Sequence, residues 1–159
     1  MNNVTRENIM VAIKQFKTEQ GQVFASIFSE AGQSLLMNVC KGGAGSEQDF
    51  NGVIKFSLAQ MKSQSLKYWL SDVSDVDTNM VTDTKNLLDK LVGRLKGSNL
   101  KKFSLVSNSS LDDRRRLEDY ISKSGVEFKT FSSFAKASEW LLVPELDDKE
   151  WESATELSF

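Results

Sequence analysis

Residues 100–131 read LKKFSLVSNSSLDDRRRLEDYISKSGVEFKTF, a strand, a helix and a strand in succession. Residues 103–106 form a short, mostly apolar run behind Lys101 and Lys102, which fits a buried strand. Ser110, with Asp113 three residues on, opens a helix. Leu117, Tyr120 and Ile121 carry its apolar face until Gly125 ends it. Residues 126–131 return to strand character. Two strands joined by a single helix pair in parallel through a right-handed crossover, so this unit belongs to an α/β sheet.

The same alternation extends in both directions. Residues 22–28 and 34–40 are β-rich and are separated by Glu30-Ala31-Gly32-Gln33. Gly32 offers the freedom in φ that a tight turn wants, which predicts a hairpin. After the loop 41–45, Ser46 and Asp49 form a capping-box-like start to a helix carried by Phe50, Val53, Ile54, Leu58 and Met61. Residues 66–70 read as a third strand. Asp77 then caps a helix with Val81, Leu88, Leu91, Val92 and Leu95 on one stripe, stopped by Gly97. Phe134, Ala137, Trp140 and Leu141 form the inward face of a last helix. The expected fold is therefore α/β, ordered β-β-α-β-α-β-α-β-α, with a mainly parallel sheet of about five strands and helices packed against it. Residues 1–21 stay open, because Ile9, Ile13 and Phe16 suit a helix while Ile9-Met10-Val11 suits a strand. One domain is expected over 22–143, with an acidic tail over 144–159 beginning at Pro144, the only proline.

Composition narrows the function. The chain holds 159 residues, 40% hydrophobic and 26% charged, enough for one core and unlike a disordered polymer, a collagen or a disulfide-stapled mini-protein. Histidine is absent, which removes Ser-His-Asp and Cys-His nucleophile systems and every histidine metal site. The single cysteine, Cys40, forms no internal disulfide and favours a reducing compartment. No apolar run approaches the roughly 20 residues of a membrane span, and Met1 to Glu7 lack a signal core, so a cytoplasmic protein is expected. Net charge is −2, but residues 144–159 carry six acids against Lys149. The remaining body, at +3, lacks the concentrated basic face that nucleic acid requires.

Asp72, Asp75, Asp77 and Asp83 cluster where the third strand hands over to its helix, at the sheet end where open α/β folds place their sites. Grouped carboxylates suit magnesium, and Asp75-Val76-Asp77-Thr78 echoes the D-x-D-x-T of haloacid-dehalogenase-type phosphatases. Ser71, Asp72 and Ser74 interrupt the apolar strand that such a site needs. Acids capping a helix N-terminus explain the cluster more simply, so no metal and no cofactor is expected. Lys41-Gly42-Gly43-Ala44-Gly45-Ser46 lacks the G-K-[ST] ending of a phosphate loop. Arg114, Arg115 and Arg116 point in three directions over about 200° of helix, among Asp112, Asp113, Glu118 and Asp119, as an ion-paired solvated face. Trp69 and Trp140 read as core, and Cys40 as a buried thiol. Trp151, in the tail with Leu146 and Leu157, either docks back on the body or serves a partner.

The element order, together with Lys67-Tyr68-Trp69-Leu70-Ser71-Asp72 and Leu100-Lys101-Lys102-Phe103-Ser104-Leu105-Val106, resembles the STAS domain of bacterial anti-sigma factor antagonists. More closely it resembles the short stand-alone STAS/SEC14-like (SpoIIAA-like) group, and Val126-Glu127-Phe128, Phe131-Ser132-Ser133 and Glu139-Trp140-Leu141 fit that group's last strand and helix. The resemblance spans roughly residues 22–142. It implies a non-enzymatic module that works by protein–protein contact in bacterial signalling. In antagonists an Asp-Ser-Ser-Gly signature follows the third strand, and its serine is phosphorylated. Here the matching positions are Asp77, Thr78, Asn79 and Met80, so Thr78 takes the place of the serine while Asn79 and Met80 depart. The implied contact surface comprises Asp72, Asp75, Asp77, Asn79 and Met80, docking a basic partner surface. The SEC14-like label supports an alternative, a small-molecule or lipid carrier whose pocket Phe50, Ile54, Phe56 and Met61 would line. A carboxylate-dependent phosphoryl-transfer enzyme ranks last. The hairpin's outer edge could also pair across a homodimer.

Overall fold

In the computed structural model, which describes residues 10–41, 47–76 and 85–141, six strands lie side by side in chain order. They are Val11–Lys17 (β1), Val23–Glu30 (β2), Leu35–Cys40 (β3), Tyr68–Asp72 (β4), Lys102–Val106 (β5) and Glu127–Phe131 (β6). Helices Glu47–Gln64 (α1), Lys85–Lys96 (α2), Leu111–Ile121 (α3) and Phe134–Trp140 (α4) follow β3, β4, β5 and β6 in turn. β1, β2 and β3 pair antiparallel, whereas β3 to β6 pair in parallel. The α/β class stands, with a mixed sheet of six strands where about five were expected.

Strand order dictates the layers. Each step from β3 to β6 moves the same way across the sheet, so right-handed crossovers put α1, α2 and α3 on one face. Their Val53, Met61, Leu91, Leu95 and Ile121 pack there on Ile27, Leu36, Trp69, Phe103 and Phe128. α4 follows the last strand and covers the other face, where Ala137 and Leu141 meet Leu70 and Val106. Because β3 is covered on both sides, all six of its residues are buried, as an inner strand between two layers requires.

Several details depart from the expected elements. Residues 11–17 form a strand. It takes up the outer edge of the β2–β3 hairpin, so that edge is not free for a homodimer. Gly32 does not carry the turn. A short 3-10 segment, Ala31–Gln33, bridges the strands, with the Gly32 amide donating to Glu30 Oε1 at 2.9 Å and Ser34 taking the left-handed conformation at φ 56°. β4 begins at Tyr68, not at residue 66, and runs through Ser71 and Asp72, two residues past the expected end at Leu70. The Ser46 and Asp77 helix caps and the tail from Pro144 lie outside the described residues. Among the described residues no helix is long and apolar enough to cross a membrane.

Candidate functional site: the carboxyl end of β4 and the cavity behind it

β4 ends in a turn that is pinned on every side. Asp72 is 7% exposed, and its Oδ1 accepts from the Ser74 amide at 3.0 Å and the Ser74 hydroxyl at 2.7 Å. The Val73 amide donates to the Val106 carbonyl at 2.9 Å, and the Val76 amide to the Val73 carbonyl at 3.0 Å. Val73 and Val76 are buried in the core under α1–α3, and Asn108 Nδ2 reaches across from the end of β5 to the Ser74 carbonyl. Asp75 is left on the surface. Asp72 therefore works inward, with its carboxylate shaping the turn. Asp77, Thr78, Asn79, Met80 and Asp83 lie outside the described residues. Among the described residues, no three Asp, Glu, His or Cys side chains gather closely enough to hold a metal ion.

Topology also bears on chemistry at this end of the sheet. Open α/β sheets bind ligands where neighbouring loops leave to opposite faces. The loops after β4 and β5 both run to the α1–α3 face, so no such fork opens between them. The fork lies between β5 and β6, and its serines are already engaged in local hydrogen bonds. The Ser107 amide donates to the Phe131 carbonyl at 2.9 Å, and the Ser109 amide to Ser107 Oγ at 3.1 Å. Ser110 and Ser133 cap α3 and α4 by accepting from the Asp113 and Lys136 amides.

Behind the β4 turn, a cavity of about 70 Å³ lies between the sheet and α1–α3. Its wall is apolar, including Phe50, Val53, Leu91, Phe103 and Leu117, with Asn38, Cys40 and Ser71 as its polar members. Phe50 and Ile54 line it as expected for a pocket, but Phe56 and Met61 do not. Phe56 packs edge-on against Phe16 of β1 at 5.8 Å, and Met61 lines a separate cleft between the ends of α1 and α2. That cleft, of about 340 Å³, also involves Lys62, Gly93, Arg94 and Gly97. The sequence reading missed it, because residues from two helices meet there without a local pattern.

Asn38 organises the cavity's polar corner. Its Oδ1 accepts from Trp69 Nε1 at 2.7 Å, and its Nδ2 donates to Cys40 Sγ at 3.5 Å. Trp69 in turn stacks on Phe103, with ring centroids 4.2 Å apart and planes at 8°. Burial pushes the Cys40 thiol up to about 12; Asp72's charge adds to the rise, against the lowering from Asn38. A thiolate nucleophile is therefore absent near neutral pH. Arg116 pairs with Asp113 at 3.7 Å, and its side chain is 79% exposed, in keeping with a solvated face. No known protein family, curated protein or solved structure matches the chain.

Proposed function

We propose that this protein is a STAS-like, non-enzymatic module of the SpoIIAA-like kind, acting by protein–protein contact in bacterial signalling. Its contact surface is the segment that leaves β4, with exposed Asp75 at its start and Asp77, Thr78, Asn79 and Met80 following in sequence. The observation that carries this reading is the pinned turn. Asp72, Val73, Val76 and Asn108 hold residues 72–76 rigidly, so the chain enters the contact surface from a preorganised platform. Asp75 on that platform, with Asp77 after it in sequence, favours a basic partner surface and speeds encounter. Thr78 is the position where an added phosphate would change that charge.

Charge reversal tests it. Asp75→Lys with Asp77→Lys and Thr78→Ala, made together, should cut partner capture by tenfold or more while circular dichroism shows the chain still folded. Unchanged capture by the triple variant would refute the surface.

The cavity supports a second reading, a small-molecule carrier of SEC14-like type. Its volume suits a few waters or one small apolar molecule. A lipid chain would need α1 or α2 to move outward.

A further inference from the structure

The sheet face that carries α4 is only half roofed by it. α4 lies over β4, β5 and β6, yet on the same face Phe28 of β2 and Leu35 and Met37 of β3 have no exposed surface. Among the described residues no other helix packs on this face. An antiparallel pair left open on one side shows polar residues there, whereas this half shows Phe28, Leu35, Met37 and Val39. The chain leaves α4 on this very face. Leu141, the residue after the helix, is fully buried in the same cluster as Met37 and Val39.

Residues 142–159 follow, and they include Leu142, Val143, Leu146, Trp151, Leu157 and Phe159. β5 and β2 are three strand spacings apart in the sheet order, roughly 14 Å at about 4.8 Å each. About five extended residues cross that distance. Residues 1–9 precede Met10, which lies on this face, but in sequence they offer only Met1, Val4 and Ile9 among polar neighbours. The bulky apolar side chains are in the later segment.

We propose that residues 142–159 dock on the β2–β3 half of this face, with Trp151 as the anchor and the acids turned to solvent. The folded body then continues beyond Pro144. The partner of this apolar surface is the chain's own acidic C-terminal segment.

Methyl-labelled full-length protein tests this by NMR. Contacts from the Trp151 indole to the methyl groups of Leu35, Met37 or Val39 are expected. In the full chain, Trp151→Asp should raise the fluorescence of an added apolar dye several-fold and lower the Tm by about 5 °C or more, whereas Val4→Asp should leave both unchanged. Contacts to those methyls from residues 1–9, or from a second copy in an isotope-filtered experiment, would overturn the proposal. Random-coil shifts for the segment, with an unaltered Trp151→Asp variant, would overturn it as well.

Discussion

Asn38 sits on a strand whose other residues are apolar, and its amide is used on both sides, by Trp69 and by Cys40. A buried amide in such a place is tolerated only when its hydrogen bonds are made. Trp69 and Cys40 were legible as buried residues, since each lies in an apolar run. The bond between Asn38 and Trp69 was not legible, because the two are 31 residues apart. Cys40 has a consequence for pH. Its thiol ordinarily ionises near 9.0 but is pushed up to about 12 in the fold, first by burial and then by Asp72. Below pH 9 both folded and unfolded thiols are protonated, and stability is unaffected. Above it the unfolded thiol ionises while the folded one holds its proton, so stability falls as pH rises, by about 1.4 kcal/mol per pH unit until the folded value is reached. Urea unfolding at pH 8 and pH 10 should show the native protein losing about 1 kcal/mol more than Cys40→Ala. Equal losses would contradict the buried thiol.

At the scale of elements, α1 shows what the sequence pattern could and could not convey. Its apolar spacing marked the helix, but no glycine marks its end. Ser65 adopts φ 56°, the Leu66 amide donates to the Met61 carbonyl at 2.9 Å, and the Ser65 amide donates to the Lys62 carbonyl at 3.4 Å. That bond pair is a Schellman stop with serine where glycine is usual. Ser65→Gly should therefore stabilise the protein by about 0.5–1 kcal/mol in chemical denaturation, since an L side chain is strained in that conformation. A neutral or negative change would place the strain elsewhere. β1 hid for a different reason. Register shifts at Ala12/Lys14 and Phe16/Lys17 break its alternation, so Ile13 and Phe16, three residues apart, pack against the same core. Bulges imitate helical spacing in this way. β6, at the opposite edge, is closed by Glu118, whose Oε2 accepts from the Thr130 amide at 2.8 Å and hydroxyl at 2.7 Å. An edge amide engaged by a side chain no longer invites another strand.

Across the whole molecule, the order of elements was readable from residue 22 onward because each strand and helix carries its own period and its own stop. The layering followed from that order alone, through the hand of the crossovers. The candidate site was less legible. The polar side chains of Ser71 and Asp72 hid the last two residues of β4, where Asp72 is satisfied by Ser74 and Ser71 lines a cavity. A contact surface has no periodicity to betray it, and only its charge and its support can be read. The most direct test of the proposed protein-binding role is native mass spectrometry of the protein isolated from its own cells, beside the Asp75, Asp77 and Thr78 triple variant. A partner protein bound to the native chain and lost from the variant is the expected result. A native chain that carries only a non-covalent small molecule, released on denaturation, would contradict it.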